Sequence, residues 1–259
     1  MTDSDGGLDP LAEMSPPAAG AEPLPIAPAP GDSTAPGGSE PPTIASAPGA
    51  GPDPLPDLRG VDAAHPLVIA VSACLMGHPV GYDGSAWPSS LVARLGLLPS
   101  VRLVSFCPEA HTLPVPRRAM TIHGGDGADV LDGLARVIDL DGVDLTDNFL
   151  VGAQALLDLV RRSGARLAIL TDTSPSCGSS VIHDGSVLPE RAYRAAPGVT
   201  TALLRRHGIP VISQRDAASL GRLLAALGGE APDPAAFDFV HDPWYRGYFG
   251  PGGPRGPKR

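Results

Sequence analysis

Residues 67–74 read LVIAVSAC, and residues 166–172 read RLAILTD. Both are short, almost wholly apolar runs. Neither alternates as a strand with one wet face would. Such runs suit strands buried on both faces, hence a parallel sheet covered by helices on either side. The neighbouring sequence keeps to that plan. VRLVSF at 101–106 and IPVIS at 209–213 are further strands. SSLVARLGLL at 89–98 reads as a short helix with Ser89 or Ser90 as its cap. Thr146 caps a helix running to Arg162, with Phe149, Leu150, Ala153, Leu156, Leu157 and Val160 at helical spacing. Gly164 ends it. GVTTALLRRHG at 198–208 and DAASLGRLLAAL at 216–227 are two more helices. The stretch 128–142, ADVLDGLARVIDLDG, holds a strand or an irregular excursion. Strand and helix in alternation give an α/β fold, a three-layer Rossmann-like parallel sheet.

The ends of the chain are a different material. Residues 1–62 are dominated by Pro, Ala, Gly, Ser and acidic residues, with no aromatic and no apolar period. Such a segment buries too little apolar surface to offset the entropy of ordering and is expected to be a disordered extension. The ordered domain is expected over 63–228, followed by a C-terminal tail, 229–259. The tail's aromatics, in FDFVHDPWYRGYFG, are expected to cover part of the core.

The 259 residues carry a formal net charge of -9. That balance argues against a general nucleic-acid scaffold, since phosphate binding draws on Lys and Arg, and leaves only a local basic pocket open. The N-terminus MTDSDGGLDP is acidic and has no apolar core of a signal peptide. No apolar run is long enough for a membrane span. Cysteines without pairing suit a reducing, cytoplasmic setting.

There are three cysteines, Cys74, Cys107 and Cys177. Each follows an apolar run and precedes turn residues. Loops after the carboxyl ends of parallel strands converge on one edge of a sheet, so three thiols distant in sequence can meet there. An odd number does not suit a disulfide framework. It does suit a soft metal or an iron–sulfur cluster. Zinc, with a fourth ligand from His78, His111 or His183, is the alternative, although no CxxC or HxxxH pair is present. Glu109, two residues after Cys107, can point its carboxylate into the same space and serve in proton transfer. Ser174 stands one turn before Cys177, with Pro175 fixing the backbone between them. Ser176, Gly178 and Ser179 offer donors around the thiolate. Tyr82 can stack on a base but reads first as a packed ring, and Arg117 reads equally as a partner for a phosphate or carbonyl and as a surface charge.

The segments SACLMGHPVGYDG (72–84), CPEAHTLPVPR (107–117), GVDLTDNFLVGAQ (142–154), SPSCGSSVIHDGS (174–186) and PGVTTALLRRHGIPVIS (197–213) together resemble the thiouracil desulfidase family. The resemblance covers residues 66 to 214 in the family's order. It implies a [4Fe-4S] cluster held by Cys74, Cys107 and Cys177, with one iron open to substrate sulfur. It implies catalytic roles for Glu109 and Ser174. The expected activity is non-redox desulfuration of a small thiolated pyrimidine. Ser72, Asp83, Ser176, Gly178 and Ser179 are the candidate substrate contacts. The family usually carries Arg where this chain has Gly81 and Lys where it has Thr171, changes that bear on the polar part of substrate recognition. The competing expectation is a non-catalytic iron–sulfur or zinc sensor.

Overall fold

A computed structural model describes residues 51–184, 192–251 and 253, so residues 1–50 of the expected extension lie outside the described residues. In chain order the elements are β1 (Leu67–Ser72), a 3-10 turn (Ala73–Met76), α1 (Ser90–Gly96), β2 (Val101–Phe106), α2 (Pro108–Thr112) and β3 (Met120–His123). There follow α3 (Gly127–Leu131), β4 (Arg136–Asp139), α4 (Thr146–Ser163), β5 (Leu167–Leu170), β6 (Ile182–His183) and β7 (Tyr193–Arg194). The last are α5 (Val199–Arg206), β8 (Val211–Ser213), α6 (Ala217–Ala226), a 3-10 turn (Phe239–His241) and α7 (Pro243–Phe249).

The four expected strands form one parallel sheet in the order β2-β1-β5-β8. All six residues of β1 are buried, as its unbroken apolar run requires. Successive side chains of a strand point to opposite faces. Leu67, Ile69 and Val71 accordingly pack with Leu95 of α1 and Leu220 and Leu223 of α6. Val68 and Ala70 pack with Leu156, Leu157 and Val160 of α4 and Leu204 of α5. The result is three layers, helix on sheet on helix.

Local chemistry sets most element ends. The Ser89 hydroxyl accepts the Val92 N–H at the start of α1. Gly164 ends α4 in the left-handed region, at φ 70°. Thr146 does not cap α4 as expected. It is the first helical residue, and its hydroxyl accepts the Val137 N–H at 3.0 Å, tying α4 to β4. The ambiguous stretch 128–142 resolves into parts of α3 and β4. β4 pairs antiparallel with β3 in a two-stranded ribbon outside the main sheet.

The ordered part begins earlier than residue 63. Leu55, Leu58 and Val61 pack against the α1–α6 side of the core. Asp53 is 4% exposed. Its carboxylate pairs with Arg205 at 2.8 Å and accepts the Val211 N–H at 2.8 Å. A Pro-rich strap gives no periodic signal, yet three apolar side chains on the core and one acid seated against a buried cation hold it. The C-terminal segment is likewise packed: Phe239, Val240 and Tyr245 are buried with Val181. Among the described residues no helix is long and apolar enough to cross a membrane.

Candidate active site

In this strand order the chain leaves β1 toward β2 and leaves β5 toward β8, so a topological switch point falls between β1 and β5. Ligands of open α/β sheets bind at such points, beyond the carboxyl ends of the strands. The loops after β1, β2 and β5 border a cavity of about 520 Å³ there. Cys74, Cys107 and Cys177 all line it, one from each loop. All three are free thiols.

Each thiol is held by its own local device. Cys74 sits in the 3-10 turn directly after β1, with Sγ 2.9 Å from Thr171 Oγ1 beyond the end of β5. Cys107 is the N-cap of α2, its sulfur accepting the Ala110 N–H at 3.4 Å. Cys177 donates its N–H to Ser174 Oγ at 3.1 Å, and its carbonyl accepts the Thr201 hydroxyl of α5 at 2.8 Å. Burial pushes all three thiols above their ordinary value, Cys177 furthest. Desolvation leads in each case, and charge on the neighbouring Cys107 and Glu109 adds to it at Cys74 and Cys177.

Glu109, on the first turn of α2, reaches across the cavity. Its Oε1 accepts the Ser174 hydroxyl at 3.0 Å. Its Oε2 takes Arg117 Nη2 at 2.7 Å and Nε at 3.2 Å. The same guanidinium donates to the Val80 carbonyl through both Nη1 and Nη2, at 3.1 Å each. Arg117 is only 5% exposed along its side chain and Glu109 12%. Arg117 is therefore no surface charge. It ties the loop after β1 to the carboxylate and leaves one carboxylate oxygen to Ser174. Sequence reading had no means to rank this arginine above Arg118, its neighbour, which pairs with Asp141 in solvent.

The turn carrying Ser174 and Cys177 is built on Asp172. Its Oδ1 accepts the N–H groups of Thr173, Ser179, Ser180 and Val181, at 3.0 to 3.3 Å. These bonds hold Thr173 at φ 67°, a region a β-branched residue rarely enters. Strained backbone of this kind concentrates at functional sites. Ser174 Oγ then accepts two N–H groups, those of Ser176 and Cys177, while donating to Glu109.

The expected substrate contacts divide. Ser72 and Asp83 line the cavity. Ser72 Oγ accepts the Thr171 N–H at 3.1 Å. Asp83 is also a turn former, accepting the Ser85 N–H at 2.9 Å. Ser176, Gly178 and Ser179 do not line it. Ser176 is fully buried and bonds Thr200 of α5 at 2.8 Å. Gly178 is required by the turn's own packing: a Cβ there would stand 2.8 Å from the Ser174 carbonyl. The close approach is backbone to backbone, not backbone to ligand. Ser179 donates its N–H to Asp172, and its carbonyl accepts Arg205 Nη1. The turn has two sides, and these three residues face the helix. Tyr82, His183, Gln214 and Arg215 also line the cavity. His78 and His111 border a separate cleft of about 310 Å³ on the other side of Cys107. Gly81 sits where a Cβ would lie 2.7 Å from the Trp87 ring and 2.8 Å from the Ser85 carbonyl, so the loop as folded excludes a side chain there.

Comparison with known proteins agrees with this geometry. The pattern of the 2-thiouracil desulfurase family matches residues 69–216. The uncharacterized protein YbbK of Bacillus subtilis (strain 168) is 35% identical over 150 residues, covering 58% of this chain and 97% of the relative. The solved structure of the [4Fe-4S]-dependent thiouracil desulfidase TudS is 38% identical, with a TM-score of 0.51, covering 62% of this chain and 99% of that one. All three cysteines, Glu109 and Ser174 fall within the matched residues, and the chain belongs to the 2-thiouracil desulfurase family.

Proposed function

We propose that this protein is a [4Fe-4S]-dependent desulfidase that hydrolyses the thiocarbonyl of a small thiolated pyrimidine such as thiouracil. The carrying observation is that Cys74, Cys107, Cys177, Glu109 and Ser174 border one cavity at the ends of three neighbouring strands. The donor set fits such a cluster: three unpaired thiols, with Cys74 hydrogen-bonded to Thr171, Cys107 accepting the Ala110 N–H and Cys177 fixed through its backbone. Among the described residues, no three His, Cys, Asp or Glu converge closely enough to hold a single ion. The raised thiols would give up their protons on loading.

A cluster held by three thiolates supplies a soft Lewis-acidic position for a thiocarbonyl sulfur. The protein's own contribution is proton handling. Water bound beside the hydrogen-bonded Ser174–Glu109 pair gives a proton to the carboxylate as its oxygen attacks the thiocarbonyl carbon. Arg117 fixes the carboxylate so that the receiving oxygen faces Ser174. The carbon–sulfur bond breaks with its electron pair on sulfur, the added hydroxyl loses its proton as the carbonyl forms, and both protons of the water, the first returned by Glu109, end on the departing sulfur. Thiocarbonyl plus water becomes carbonyl plus hydrogen sulfide, with no net electron transfer.

Anaerobic reconstitution tests the reading. The loaded chain should be brown, hold iron and acid-labile sulfide, and convert 2-thiouracil to uracil and sulfide. Replacement of any one cysteine by Ser should abolish assembly. A full iron complement in two of the three variants would sink the three-cysteine site. A colourless, zinc-loaded or inactive chain would favour a sensor. Ser174→Ala and Glu109→Gln should stay brown and turn over ~10²–10⁴-fold more slowly, the usual contribution of a general acid–base group.

A further inference from the structure

Two arginines line the cavity, Arg117 and Arg215, and they are not equivalent. Arg117 is spent on Glu109 and the Val80 carbonyl. Arg215 is exposed and, among the described residues, enters no ion pair with a carboxylate. It is nevertheless built into place. Its N–H donates to Ser213 Oγ at 3.0 Å. Its guanidinium lies 4.4 Å over the ring of Phe239. Phe239 is 2% exposed and stacks on Trp244, with centroids 5.8 Å apart and planes 1° from parallel. The Asp216 carboxylate locks the two parts together: Oδ2 accepts the Ser213 N–H at 2.8 Å and Oδ1 the Phe239 N–H at 3.0 Å. Phe239 and Trp244 lie beyond residues 69–216, the span that matches the family.

A guanidinium stacked by one face on an aromatic ring keeps its in-plane N–H fork free. It suits a planar acceptor edge rather than a second apolar surface. The cysteines lie on the β1, β2 and β5 loops, whereas Arg215 stands beyond β8 at the opposite edge of the sheet. A flat ring whose sulfur enters among the thiols carries its oxygen-bearing edge away from them. We propose that Arg215, seated on Phe239, is a specificity-determining residue that hydrogen-bonds the carbonyl oxygen of the thiolated ring. The C-terminal aromatic segment thereby forms one wall of the substrate site. This inference rests on the desulfidase reading above.

The test uses the reconstituted full-length chain. A hydrogen bond from a charged group contributes enough to change affinity roughly 10- to 100-fold. Arg215→Ala should raise KM for 2-thiouracil by that factor, with kcat, iron content and brown absorbance unchanged. It should also weaken uracil binding, measured calorimetrically, by a similar factor. With pyrimidine-2-thione, which lacks the carbonyl, wild type and Arg215→Ala should have the same KM. Arg215→Lys, a point charge without the fork, should recover only part of the loss. Phe239→Leu should raise KM less than Arg215→Ala. The Arg215 variants are on the surface and keep the test valid if Phe239→Leu fails to fold. Unchanged KM and uracil affinity in Arg215→Ala, beside an active wild type, overturns this inference alone. A brown wild type that neither binds uracil nor consumes 2-thiouracil overturns the functional reading and this one with it.

Discussion

Replacing Arg117 by Met removes the cation but keeps much of its apolar stem. The structure sets the scale of the loss. Arg117 and Glu109 are 5% and 12% exposed along their side chains and meet at 2.7 Å. Both terminal guanidinium nitrogens also bind the Val80 carbonyl, so the variant frees a carbonyl as well as a carboxylate. Removing one partner of a buried ion pair strands the other charge and costs about 3–5 kcal/mol. Domains of this kind are stable by roughly 5–15 kcal/mol, so about a fifth or more of the total is at stake. Urea titration of the cluster-free chain, followed by circular dichroism, measures it. Arg117→Met should unfold at a clearly lower midpoint with an unchanged slope. Adding Glu109→Gln should restore part of the loss, because a neutral amide needs no counter-charge. The coupling between the two changes is the decisive quantity. A loss below about 1 kcal/mol, or strict additivity in the double variant, would show that the pair is not the buried brace described above.

Two further outcomes follow from buried acids. Asp53→Ala should destabilise the chain by about 3–5 kcal/mol, because Arg205, 7% exposed along its side chain, loses its partner; a melting temperature equal to wild type would return residues 51–62 to the status of a dispensable arm. Burial raises the Asp216 carboxyl from the ordinary 3.8 to about 7. The folded chain therefore holds that proton more tightly than the unfolded one. The stabilisation is complete below about pH 4, falls as pH rises, and is gone above about pH 7. Between pH 5 and 7 the wild type should lose about 2 kcal/mol relative to Asp216→Asn; parallel stability–pH curves would refute the assignment.

The sequence by itself determined the parts that depend on short-range patterns. Unbroken apolar runs at 67–71 and 167–170 are strands covered on both faces, and the helical period of 149–160 is the buried stripe of α4. Cys74 and Cys107 stand directly after β1 and β2 and Cys177 in the loop after β5, and parallel strands gather such exit loops at one sheet edge. Spacing set Glu109 beside Cys107 and Ser174 beside Cys177, while their catalytic roles were what the family resemblance implied.

Only the tertiary structure decided which side of each loop faces that cavity. Ser176, Gly178 and Ser179 are as polar and small as Ser174, yet they turn toward α5, because Thr200, Arg205 and backbone carbonyls meet them there. Arg117 and Arg118 are adjacent and chemically identical; one is buried on Glu109 and the other paired in water. Asp53 and Arg205 stand 152 residues apart, and Phe239 comes to lie under Arg215 through a carboxylate at 216. A local pattern records the period of an element and the chemistry of a turn. It carries no record of a pairing between distant residues, whose strength depends on the water both groups lose when the chain closes around them.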